Sequence, residues 1–94
     1  MVKSLHTPAY GAFRRIMTLA RERQGMTQAE LAARLGRPQS FVSKYESGER
    51  RLDMVEFVSV CDALEVEATV IFHSVLGAIH EHKSNYPGSE PTLK

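Results

Sequence analysis

The sequence predicts an all-α domain of five helices. Two observations carry this expectation. Apolar residues recur at intervals of three and four in successive segments, and most of those segments are bracketed by residues that start and stop helices. The chain has 94 residues, enough for one modest core and not for two.

In the first segment Thr7 can cap and Pro8 suits the first helical position, where its missing N–H costs nothing. Phe13, Ile16, Met17 and Ala20 follow at helical spacing, and Gly25 closes the segment. Thr27 reads as the next N-cap, and Glu30 three residues later completes a capping box. Leu31, Ala32 and Leu35 form the stripe of this short helix, which stops at Gly36. Only Arg37 and Pro38 separate it from a third helix, Gln39 to about Ser47, whose apolar contribution is mainly Val42 and Tyr45. Gly48 terminates it.

Asp53 caps a fourth helix, again with a Glu (Glu56) at the third position. Val55, Phe57, Val58, Val60, Cys61 and Leu64 are expected to supply its core. A last periodic set, Ala68, Ile71, Phe72, Val75, Leu76 and Ile79, reads as a fifth helix. The β-branched run Thr69-Val70-Ile71 keeps a strand open there as the alternative. From Ser84 onward there is no periodicity and there are two prolines, Pro87 and Pro91, so 84–94 is expected to be a disordered tail behind a domain spanning 1–83.

Composition excludes several classes. No apolar run approaches the roughly 20 residues that span a bilayer, and the first six residues lack an apolar signal core. The single cysteine, Cys61, cannot form an internal disulfide and reads as a small core residue in a reducing compartment. Both observations point to a cytoplasmic protein with no membrane partner. His73, His80 and His82 invite a metal reading, but on a helix His80 and His82 point in different directions and no cysteine lies nearby. No metal, no other cofactor and no catalytic acid–base pair is expected, and so no enzyme.

Net charge is only +1, yet it is unevenly spread. Arg14 to Arg51 holds nine Lys and Arg against four Glu, a local charge of +5; Leu52 to Lys94 holds two Lys against seven Asp and Glu, or −5. One half of the chain is therefore suited to face a polyanion.

The stretch Met26 to Glu49, MTQAELAARLGRPQSFVSKYESGE, carries the most information. Two short helices joined by so tight a turn must cross steeply, which small residues such as Ala32 and Gly36 permit. The second of them has few core residues and a polar face of Gln39, Ser40, Ser43 and Lys44. Insertion into a DNA major groove explains that face better than internal contacts do, because Gln can bond adenine bidentately and Lys can reach guanine. Phe41 is ambiguous, either held on the domain or set to meet a thymine methyl. Arg50 and Arg51 follow in a loop where backbone phosphates would pass.

At Thr27-Gln28, Glu30-Leu31-Ala32, Gly36, Gln39-Ser40, Val42-Ser43 and Glu46-x-Gly48 the sequence resembles helix-turn-helix regulators of the Cro and phage-repressor type, the xenobiotic-response-element (XRE) family. The likeness covers about Arg14 to Val66. It implies a five-helix, lambda-repressor-like domain with the helix-turn-helix at helices 2 and 3, DNA read by the third helix, and a homodimer on a palindromic operator. Position by position, it implies that Gln28 bonds a backbone phosphate. Gln39, Ser40 and Lys44 would face base edges, and Ser43 would reach a base or a phosphate. Arg21 and Glu46 match a pair that ties the first helix to the end of the recognition helix. Two positions depart from the pattern: Arg37 replaces the usual Val or Ile after the turn glycine, and Pro38 replaces a capping Ser or Thr. Arg37 is then expected to be solvated and free to meet a phosphate.

The fifth helix, about 67–82, offers Ile71, Phe72, Val75, Leu76 and Ile79, either to complete the protomer's core or to form a two-fold interface. The functional expectation is a sequence-specific regulator, a repressor by family analogy, binding double-stranded DNA. An antitoxin with a toxin partner, or a controller of restriction–modification genes, fits the same residues. A protein-interaction module without DNA binding is the reading from a different class.

Overall fold

The computed structural model describes residues 7–83. They form five helices: α1 (Pro8–Arg23), α2 (Gln28–Leu35), α3 (Gln39–Ser47), α4 (Met54–Leu64) and α5 (Ala68–Lys83), with no strand among the described residues. Residues 69–71 are therefore helical. The expected tail, 84–94, lies outside the described residues, as do 1–6.

Helix boundaries follow the capping chemistry. The Thr7 hydroxyl accepts the Tyr10 N–H at 3.1 Å, with Pro8 at the first helical position. Thr27 with Glu30, and Asp53 with Glu56, form complete capping boxes, each satisfying two otherwise orphaned donors. Gly36 and Gly48 end α2 and α3 in the left-handed conformation. Pro38 provides no side-chain cap to α3, so that helix starts on backbone geometry alone.

The core gathers Met17 and Ala20 from α1, Leu31 and Ala32 from α2, Phe41, Val42 and Tyr45 from α3, and Phe57, Val60, Cys61 and Leu64 from α4. The α4 set is spaced i, i+3, i+4, i+7, one face of a helix. Val55 and Val58, expected in the core, lie on the opposite face and are 74% and 40% exposed. All six residues are apolar, but the 3.6-residue period excludes Val55 and Val58 from the face that Phe57 and Val60 define. Burial pushes the Cys61 thiol up to about 11, so it stays protonated and inert at neutral pH.

α5 lies mainly along α1 and touches α4, while α2 spans α3 and α4. Its Ile71 and Ala68 rest on the core, and Val75 is buried. Phe72 remains 43% exposed. No helix of the described residues is long and apolar enough to cross a membrane.

Gly48 is the glycine whose identity matters most. Its φ is +90°, and a Cβ there would lie 3.2 Å from Arg14 Nε, whereas at Gly25 and Gly36 a Cβ would meet nothing within 4 Å. Gly48→Ala should therefore cost more than the roughly 1–2 kcal/mol of left-handed strain alone. Gly25→Ala should cost only the strain. Urea unfolding of the two variants side by side checks the difference.

Candidate nucleic-acid interface

The α2–α3 unit presents an outward face formed by Gln39, Ser40, Ser43, Lys44 and Ser47, all exposed or half-buried. The face is available because α3 buries only Phe41, Val42 and Tyr45 on its other side. Ser43 and Ser47 donate to the Ser40 and Lys44 carbonyls at 3.3 and 3.1 Å, so these hydroxyls lie close along the helix.

One edge of this face is fixed by a polar ladder. Arg21 grips Glu46 with two bonds, Nε to Oε2 at 2.8 Å and Nη2 to Oε1 at 3.0 Å, while its Nη1 donates to the Met26 carbonyl at 2.7 Å. The two side chains are 11% and 7% exposed, so the pair is substantially desolvated. Hydrogen bonding to Glu46 holds the Arg21 guanidinium above its ordinary pKa. Glu46 Oε1 also accepts from Gln28 Nε2 at 2.9 Å, and Gln28 Oε1 in turn accepts a long bond of 3.4 Å from Gln39 Nε2. The ladder thus runs from α1 through the end of α3 to the start of α2 and back to the first residue of α3. With its Nε2 committed in part to Gln28, Gln39 keeps its amide oxygen for an external donor.

Sequence reasoning missed Arg14. It sits two helical turns before Arg21 on the same face of α1, and its Nη1 donates to the Glu46 backbone carbonyl at 2.7 Å. That seven-residue spacing was the available signal. Gln24 was also missed; its Nε2 closes the end of α4 by donating to the Leu64 carbonyl at 2.7 Å.

The other edge of the face is aromatic and cationic. Phe41 is 7% exposed, which settles its ambiguity: it packs edge-on to Tyr45 with ring centroids 5.5 Å apart. The Arg37 and Arg50 guanidiniums stand over its ring at 4.3 and 4.9 Å. Arg37, expected to be solvated and free, is half-covered and reaches Glu56 at 3.5 Å. Arg50 grips the same carboxylate through both nitrogens at 3.0 and 3.1 Å. Arg51 lies over the Tyr10 ring at 4.5 Å. Glu56 is held below the usual carboxylate range, first by Arg50 and then by the Asp53 N–H.

An α2–α3 pair crossing at a tight turn, with a polar outer face between two basic or amide-bearing edges, defines a helix-turn-helix DNA-binding domain. Residues 18–71 match the helix-turn-helix family. The chain belongs to that family, in its XRE branch. A solved structure of an XRE-family like protein from Pseudomonas syringae pv. tomato str. DC3000 is 43% identical. The match covers 81% of this chain and 93% of that one, with a TM-score of 0.73. No curated protein matches the chain. The protein is a DNA-binding transcriptional regulator.

Two outcomes follow for the charges. Arg21→Met strands a desolvated Glu46 and should cost about 3 kcal/mol in urea unfolding. Because the carboxyl of Glu56 titrates below its ordinary 4.5 when folded, its stabilisation is complete above that pH and fades as pH falls through the lowered value. The stability gap between the wild type and Glu56→Gln should therefore be widest above pH 4.5 and close in acid, as thermal melts across pH would read.

Proposed function

We propose that this protein is a repressor that binds a palindromic operator as a homodimer, with α3 of each protomer in successive major grooves roughly 34 Å apart. The observation that carries the reading is the exposed polar face of α3, held at a fixed pitch by the Arg21–Glu46–Gln28 ladder. Gln39, Ser40 and Lys44 read base edges; Ser43 reaches a base or a phosphate; Gln28, Arg37, Arg50 and Arg51 take backbone phosphates. The compact dimer acts in the cytoplasm by occluding polymerase.

The two-fold interface is built from the α5 residues Ile71, Phe72, Val75, Leu76 and Ile79. A mainly apolar groove of about 140 Å³, lined by Phe13, Leu52, Asp53, Met54, Phe57, Phe72 and Val75, supports this reading. Val75 is the buried member of the set, so its part is to floor the contact, while Phe72 and the exposed Met54 form the rim. Dimerisation doubles the base contacts, which a single short recognition helix needs for useful discrimination.

Selection from random duplex DNA tests the whole reading. The wild type should enrich a two-fold symmetric motif that a Gln39→Ala, Lys44→Ala double variant fails to enrich. No enrichment, with equal retention of both proteins, would refute it. Phe72→Glu should shift the protein to monomer in sedimentation and weaken binding to the two-half-site duplex far more than to one half-site.

A further inference from the structure

On the Phe41 edge of α3, the α4 cap accounts for Glu56 and the core for Phe41, but neither requires the two arginines that meet there. Arg37 precedes α3 and Arg50 follows it, yet both guanidiniums converge on one carboxylate, Glu56 of α4, at 3.5 Å and at 3.0 and 3.1 Å. Both also stand over the Phe41 ring, which holds them beside α3 while their side chains stay 45% and 38% exposed, within reach of a ligand. Glu56 is itself pinned, since its Oε1 accepts the Asp53 N–H at 3.0 Å. Two cations therefore share one anion, and the cluster carries one net positive charge. A carboxylate and a phosphate offer a guanidinium the same pair of oxygens, so Glu56 occupies the donors with which these arginines would grip a DNA backbone.

We propose that Glu56 is an internal surrogate phosphate: it neutralises one of the two charges of Arg37 and Arg50, so that the pair takes up one backbone phosphate on DNA instead of two. The inference rests on the DNA-binding reading above. Glu56 acts on the component of affinity that every duplex shares, because phosphate neutralisation with counterion release is blind to sequence. It leaves the base-reading residues on the outer face of α3 untouched. The physical result is a weaker and more exchangeable grip on all DNA, with the discrimination between operator and other sequences unchanged.

The test measures the salt dependence of binding, by fluorescence anisotropy, to the selected operator and to a random duplex. Glu56→Gln removes the charge while keeping an acceptor at a position where Gln also completes a capping box. It should steepen the slope of log affinity against log salt by about 0.9 for each protomer bound, and tighten both duplexes about tenfold per protomer at 0.1 M salt. Adding Arg37→Gln to that variant should restore the wild-type slope. Asp62→Asn, an equal charge change at the exposed far end of α4, should leave the slope unaltered. Thermal melts establish that each variant is folded at the assay temperature. A Glu56→Gln slope equal to or shallower than the wild type overturns the proposal, and so does an Asp62→Asn slope as steep as that of Glu56→Gln. Failure of the wild type to bind any duplex overturns the DNA-binding reading and the proposal with it.

Discussion

The arrangement of this domain depends on the carboxylate of Glu46, taken out of water at the last turn of the recognition helix. A negative side chain there faces the negative end of the helix dipole and would be unfavourable alone. Two arginines from α1 reverse that. Arg21 takes the carboxylate and Arg14 takes the backbone carbonyl of the same residue, and the second acceptor position of the carboxylate goes to Gln28 of α2. Three helices are thereby tied at one residue. Because α3 contributes only three buried side chains, its pitch against α1 is set by these directional bonds at least as much as by apolar bulk. The bonds leave its other face free to be polar.

The two edges of that face are built from different chemistry. On the Gln39 edge, a chain of hydrogen bonds passes from a buried ion pair outward to side-chain amides, so orientation is the quantity controlled. On the Phe41 edge, an aromatic ring and a carboxylate hold mobile arginine heads in place, so charge is the quantity controlled. The arginine at position 37 is accommodated because Phe41 supplies the apolar surface and Glu56 the counter-charge.

Much of this was readable in the chain. Capping boxes at Thr27 and Asp53 and glycines at 36 and 48 are local signals, decided by the backbone within a turn, and they mark boundaries without reference to the rest of the molecule. The Arg21 and Glu46 positions came from likeness to relatives. The features that were not legible depend on which elements meet. Val55 and Val58 are as apolar as Phe57 and Val60, and only the placement of α4 against α2 decides which face is covered. Arg14 looks like an ordinary surface charge and Glu56 like a capping residue alone, until the placing of α1 and α4 gives them partners on α3 and its flanks. Arg37 seemed free for the same reason, since its partner lies nineteen positions further along, in an element whose direction the sequence does not state.

The pairing of α1 with α5 has a consequence for how the domain is made. The first helix packs along the fifth, and Gln24 at the end of α1 bonds across to the end of α4. During synthesis, the α2–α3 unit emerges while the helix that will lie along α1 is still inside the ribosome. A nascent chain arrested before α5 leaves Ile16, and the side of Phe13 turned away from Phe57, without the α5 surface that faces them. Chaperone capture and proteolysis would act on that intermediate, and the ability to hold DNA would arrive in one late step as the chain closes on itself.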